Sequence, residues 1–170
     1  MKPIASTAKI LADKMLNQYI DKTWVDWAVE MLVEGFDTEH LVILAGESPP
    51  YNQFYLDSLT NKVLSELNLD YSNEHKIIKK YVCYLIDKAL KSEMKISEVL
   101  EIIDDLYNSN REYLFNFVLL SSDAEFLTYS DKGFSWDGTI ENNIDEITIM
   151  IIDYFADWKS ENCEKETVII

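Results

Sequence analysis

Carboxylates are the residues in this sequence with the most chemistry to offer. Asp104-Asp105 and Asp145-Glu146 stand side by side, and Asp153 and Asp157 stand four apart, a spacing that puts both on one face of a helix. Such pairs can do general acid–base work or hold a divalent metal. Their setting supports neither use, because acids are frequent throughout and none of these lies in an apolar stretch that would raise its pKa. They read as solvated helix faces. The two histidines add little. Asp37 and His40 are three apart, close enough on a helix to share a metal, yet no further ligand flanks them and Asp is a preferred helix-capping type. His75 follows Ser72-Asn73-Glu74 and reads as a surface residue in a first helical turn.

Nucleophilic catalysis needs a Ser or Cys beside an oriented base, and neither histidine stands near such a group. The four glycines are not spaced as a phosphate-cradling loop. No catalytic, metal or cofactor site is therefore predicted, and the chain is not read as an enzyme. Three tryptophans, Trp24, Trp27 and Trp158, fall on apolar stripes and read as core. Trp136 differs. It sits in Phe134-Ser135-Trp136-Asp137-Gly138 with Asp131 and Asp137 about it, as an aromatic anchor for a cationic partner would, or else as a lid folded on the core.

The charge explains where a partner is to be sought. The chain has 170 residues, with 31 Asp and Glu against 15 Lys and Arg, a net charge of −16. That field repels nucleic acid and anionic membrane surfaces alike. Arg111 is the only arginine, which leaves no material for bidentate phosphate clamps. The asymmetry is marked: residues 1–92 carry 13 acids and 10 bases, net −3, and residues 93–170 carry 18 acids and 5 bases, net −13. A negative face directed at a basic protein is the expectation, with Asp104, Asp105, Asp123, Glu125, Asp131, Trp136, Asp137, Asp145 and Glu146 as its candidate contact residues.

Helical periodicity supplies the elements that must carry these residues. Residues 6–20 place Ile10, Leu11, Met15, Leu16 and Tyr19 on one side. Thr23 opens a second helix, with Asp26 completing a capping-box variant, and Trp24, Trp27, Ala28, Met31 and Leu32 repeat at helical spacing up to Gly35. Asp37-Thr38 caps a short third helix that stops at Gly46. A fourth follows the Pro49-Pro50 loop, with Pro50 at its start and Phe54, Tyr55, Leu59, Val63 and Leu67 facing in. Ser72 or Asn73 caps a fifth over about 74–92, and Ser97 caps a sixth through Tyr107. Residues 111–120 are apolar almost throughout and fit a buried helix or a buried strand; helical neighbours favour helix. Residues 128–138 are a loop, or part of a short hairpin near 126–136. Thr139 or Asn142 opens a last helix through Trp158, and 159–170 form a tail that either frays or docks.

The fold class expected is thus all-α, an irregular bundle of about seven or eight helices, with residues 1–170 as one domain. Cys83 lies in an apolar run and reads as a small buried hydrophobe, Cys163 lies in the polar tail, and free thiols suit a reducing cytoplasm. The first residues, Met1-Lys2-Pro3-Ile4-Ala5, do not form a signal peptide, and no apolar run is long enough for a membrane span. A cytoplasmic protein is expected.

The stretch Trp24-Val25-Asp26-Trp27-Ala28-Val29-Glu30-Met31-Leu32-Val33-Glu34-Gly35-Phe36-Asp37-Thr38-Glu39-His40-Leu41, continuing to Leu44-Ala45-Gly46, resembles small acidic helical immunity proteins encoded beside polymorphic or contact-dependent toxins in bacteria. The segment Trp136-Asp137-Gly138-Thr139-Ile140-Glu141-Asn142-Asn143-Ile144 is similar in the same way. The resemblance implies a cytosolic inhibitor that blocks a toxin domain by direct contact. Two other classes stay open beside it: a helical adaptor with a different protein partner, and an enzyme whose acids bind a metal.

Overall fold

The computed structural model of the protein describes residues 2–108, 110–129, 133–134, 141–142 and 144–163. Its fold class is all-α, with eight α-helices among the described residues. Two compact units divide the chain, Met1–Tyr81 and Val82–Ile170, and the boundary falls inside one helix.

The first unit contains α1 (Thr7–Met15), α2 (Lys22–Val33), α3 (Glu39–Ala45), α4 (Gln53–Glu66) and the beginning of α5 (Glu74–Leu90). Its core is built on Trp24, Trp27, Ala28 and Met31 of α2, each at most 2% exposed. Trp24 and Trp27 meet edge to face at 6.1 Å, and the Trp27 indole donates to Thr7 Oγ1 at 2.9 Å. A buried indole N–H is thereby satisfied while its ring fills the core. Leu41 and Leu44 of α3 and Leu56, Leu59, Val63 and Leu64 of α4 complete the apolar interior.

Four helices end in the same way, which shows how a chain with four glycines makes its turns. Asn17, Gly35, Asn68 and Ser92 all have left-handed φ values, 53°, 91°, 53° and 58°. At each, the amide of that residue and the next bond back to two carbonyls of the last turn: Asn17 to Lys14 and Gln18 to Asp13, Gly35 to Leu32 and Phe36 to Met31, Asn68 to Ser65 and Leu69 to Leu64, Ser92 to Ala89 and Glu93 to Lys88. This is the Schellman arrangement, which satisfies the orphan carbonyls of a helix end. Asparagine tolerates the left-handed region better than most side chains do, so it serves here where glycine is expected.

Several sequence expectations shift. The first helix stops at Met15 rather than 20; the Asn17 turn carries Tyr19 out to 82% exposure and buries Ile20 instead. The cap of α2 is Asp21, whose carboxylate accepts from the Thr23 amide at 2.8 Å, and Asp26 pairs with Lys22 rather than closing a capping box. The N-cap of α3 is Thr38, so Asp37 is not a cap. On α4 Leu59 and Val63 are buried as expected, but Phe54 is 93% exposed and Tyr55 46%, and Leu56 and Thr60 are buried in their place. Asn52, not Pro50, precedes that helix and accepts from the Tyr55 amide. At the start of this helix the Gln53 side-chain amide makes reciprocal hydrogen bonds with Ile20 N–H and Ile20 C=O, at 2.9 and 2.8 Å, which fits this orientation. Asn73 does cap α5, accepting from the Lys76 amide at 3.0 Å.

The second unit holds the rest of α5, then α6 (Ile96–Leu106), a 3₁₀ turn (Glu112–Leu114), α7 (Phe115–Tyr129), a two-residue antiparallel pairing of β1 (Gly133–Phe134) with β2 (Glu141–Asn142), and α8 (Ile144–Asn162). Lys95 rather than Ser97 precedes α6. Of the apolar run 111–120, residues 112–114 form the 3₁₀ turn and 115–120 are α-helical, so helix rather than strand holds; the run is not buried throughout, since Phe115 is 46% exposed. The loop and hairpin expectations are displaced: α7 continues through 126–129, and the pairing joins 133–134 to 141–142, with Gly133 opposite Asn142 and Phe134 opposite Glu141. The last helix therefore begins at Ile144, after Asn142; Thr139 lies outside the described residues. Phe117, fully buried, anchors this core against Tyr154, Phe155 and Trp158 at ring distances of 5.1, 5.9 and 4.9 Å. The tail begins later than 159, since α8 runs to Asn162; residues 164–170 lie outside the described set.

Candidate functional site

Acidic side chains recur along α6 at 98, 101, 104 and 105, and Glu98, Glu101, Asp104 and Asp105 are all exposed. The opposite face, Val99, Leu100, Ile103 and Leu106, is buried. Glu98, Glu101 and Asp105 follow an i, i+3, i+7 spacing, a row of about 10 Å along the helix axis. Glu98 has Lys95 at 3.9 Å. Among the described residues Glu101, Asp104 and Asp105 have no cation partner. The nearest arginine is turned inward: Arg111 is 7% exposed and its Nη1 donates to the Leu106 carbonyl at 2.6 Å, closing the end of α6. The only guanidinium in the sequence thus caps α6 rather than meeting Glu101, Asp104 or Asp105.

Of the contact residues expected from sequence, the structure brings Asp104 and Asp105 together on α6, and it places Glu146 exposed on α8. Asp123 and Glu125 belong to α7 and Asp145 to α8, but their side chains are outside the described set. Asp131, Trp136 and Asp137 lie outside the described residues altogether. Glu98 and Glu101 were not among the expected residues, although their spacing with Asp105 is the signal that finds them.

Beside the acid row lies a groove of about 750 Å³, lined by the last residues of α5, the start of α6, Ala124 of α7 and the first half of α8. Its apolar surface comes from Leu90, Met94, Ile96, Leu100, Ile151 and Ile152.

A covalent link joins α5 to the residue after α8. Cys83 and Cys163 form a disulfide, with Cα atoms 5.7 Å apart and a sequence separation of 80. This corrects the expectation of two free thiols. One turn along each helix, Asp87 accepts from Lys159 at 2.5 Å and from Lys91 at 2.6 Å. Partial burial pushes the Asp87 carboxyl up, and the two lysines outweigh it, holding the group below the ordinary aspartate range.

His40 has a structural partner. Its Nδ1 is hydrogen-bonded to Glu66 Oε1, and its backbone amide donates to Glu66 Oε2 at 3.2 Å, so α3 is tied to α4. The ring's hydrogen bond holds the Glu66 carboxyl below its ordinary value. Lys14 is likewise engaged inside the first unit, donating to Asp57 Oδ1 at 2.7 Å and Thr60 Oγ1 at 3.0 Å. Among the described residues no three His, Cys, Asp or Glu side chains stand together as a metal site. No helix there is long and apolar enough to cross a membrane.

Comparison with protein-family models, with curated proteins and with solved structures gave no match.

Proposed function

We propose that the protein acts by binding, as an immunity protein that neutralises a cognate basic toxin domain through direct contact. The observation that carries this reading is the acid row of α6: Glu101, Asp104 and Asp105 are exposed on a well-packed helix and, among the described residues, have no cation beside them. Fixed, unneutralised charge of one sign attracts an oppositely charged protein and speeds the encounter. The helical, strongly acidic character of the chain and the resemblance of residues 24–46 to immunity proteins point the same way. No enzymatic activity, metal or cofactor is part of the proposal, nor is nucleic acid a partner, since −16 of net charge opposes a phosphate backbone.

The proposal keeps the encounter in the cytoplasm. A disulfide is preserved in oxidising compartments and reduced by cytoplasmic thiols, so the binding surface has to hold without the Cys83–Cys163 bond. Asp87 and Lys159 pair across the same two helices through groups that reduction leaves chemically unchanged.

The test is to purify the protein with the product of the adjacent gene and measure association rates across a salt series. A complex whose association slows steeply with salt is expected. No complex at low salt would overturn the proposal.

A further inference from the structure

The groove beside α6 is apolar within, and the exposed acids of α6 continue from its α5–α6 edge. Leu100, Ile147 and Ile151 line it and are each at most 2% exposed. Leu90, Met94 and Ile96 add to it from the α5–α6 side, and Ile152, 39% exposed, borders it from α8. Ile149, 59% exposed, extends apolar surface along the same helix. Pockets of this size suit a ligand with several large apolar groups. At the rim, Glu93 pairs with Lys88 at 3.3 Å and Glu98 with Lys95 at 3.9 Å. Such solvated pairs hold little energy and exchange readily for a partner's cation. Beyond the rim, Glu101, Asp104 and Asp105 continue on α6 and Asp153 is exposed on α8, so among the described residues the acids of α6 exceed the lysines beside them.

We propose that this groove docks an amphipathic helix of a basic protein partner. The partner's apolar residues, at i, i+3 or i+4, and i+7, lie in the groove, and its flanking lysines or arginines meet the acids of α6 and α8. Helices recognised in grooves use this anchor spacing. Charge selects the occupant. A second copy of the chain brings another −16 of charge and is repelled, as is an anionic lipid surface. The inference rests on the reading of a basic protein partner given above and adds where the partner's apolar anchors sit.

The experiment uses the full chain and two fluorescent helical peptides that share one leucine face, one flanked by lysines and the other by glutamates. Anisotropy titrations are expected to show the lysine peptide binding at least about tenfold more tightly, with Ile152→Glu lowering that affinity on the order of tenfold. The triple variant Glu101→Gln, Asp104→Asn, Asp105→Asn is expected to weaken binding and flatten its salt dependence. Ile152 is part-exposed, so an unchanged circular dichroism spectrum establishes that its variant folds; Phe54→Glu, at an exposed apolar position in the first unit, is expected to bind as wild type. Equal binding of the two peptides overturns the proposal, as does undiminished binding by Ile152→Glu. So does protection of Ile152→Cys from thiol reagents in the free protein, since the groove would then be filled by the chain itself. A toxin that binds wild type and Ile152→Glu equally removes the groove and leaves the functional reading standing. A lysine peptide that binds while the adjacent gene product does not has the opposite meaning.

Discussion

Asp87 on α5 and Lys159 on α8 form an ion pair one helical turn from Cys83 and Cys163, so the two helices are joined twice in a single antiparallel register. The covalent joint limits the unfolded chain and the ionic one orients the folded helices. Opening the disulfide, by reduction or by Cys83→Ser, is expected to lower unfolding free energy by about 2–5 kcal/mol, as for loops of this length. Urea titrations with and without reductant measure it. Because the joints share the same helices, Asp87→Asn and Cys83→Ser are expected to be non-additive, with a coupling of about 0.5 kcal/mol or more.

Redox state in the cell has its own readout. Acid quenching followed by alkylation and mass spectrometry counts modified thiols directly. A protein acting in the cytoplasm is expected to have both cysteines alkylated and to keep its salt-sensitive binding.

Acid acts on the tie between His40 and Glu66. Glu66 has a lower pKa folded than unfolded, so the unfolded chain binds more protons between those two values and stability falls as pH drops through them. The contribution is fully present above the ordinary glutamate value of 4.5 and lost below the folded one. Melting temperatures from neutral to acid pH should fall less steeply for Glu66→Gln, which starts lower at neutral pH.

Lys14 and Asp57 form an unequal pair. The lysine side chain is 8% exposed and the aspartate 64%. Asp57→Ala leaves a buried ammonium with only neutral acceptors and is expected to cost about 1–3 kcal/mol. Lys14→Met leaves a carboxylate that water already solvates and keeps the apolar stem in place. Equilibrium unfolding is expected to find it the milder change.

Two phenylalanines separate what the sequence reveals from what it hides. Phe117→Ala removes a fully buried ring packed on three aromatics and is expected to cost about 3–5 kcal/mol; Phe54→Ala, at 93% exposure, is expected to fall within about 0.5 kcal/mol of wild type. Chemical denaturation followed by tryptophan fluorescence measures both.

The helical reading of residues 24–35 was legible because Trp24, Trp27, Ala28 and Met31 repeat at one period and Gly35 closes the run. Phe54 is misplaced because apolar residues at 54, 55, 56 and 59 allow two inner faces, and the contacts that distinguish them, such as Gln53 with Ile20, lie 33 positions away in sequence. The disulfide was illegible for the same reason at longer range: it depends on the register of α5 against α8, which no local pattern encodes. The acid row was half legible. Asp104-Asp105 drew notice as neighbours, whereas Glu98 and Glu101 join them only once the residues are wound onto a helix whose other face is buried.

The bond between Cys83 and Cys163 also makes the second unit a closed ring, and this governs how the molecule answers force. A pull applied at the chain ends loads the segments outside the ring, while the 80-residue stretch within it is bypassed. On the order of 260–290 Å of contour length is thereby withheld until the bond is cut. Stretched as a single molecule, the oxidised protein would fall short of its reduced form by that length.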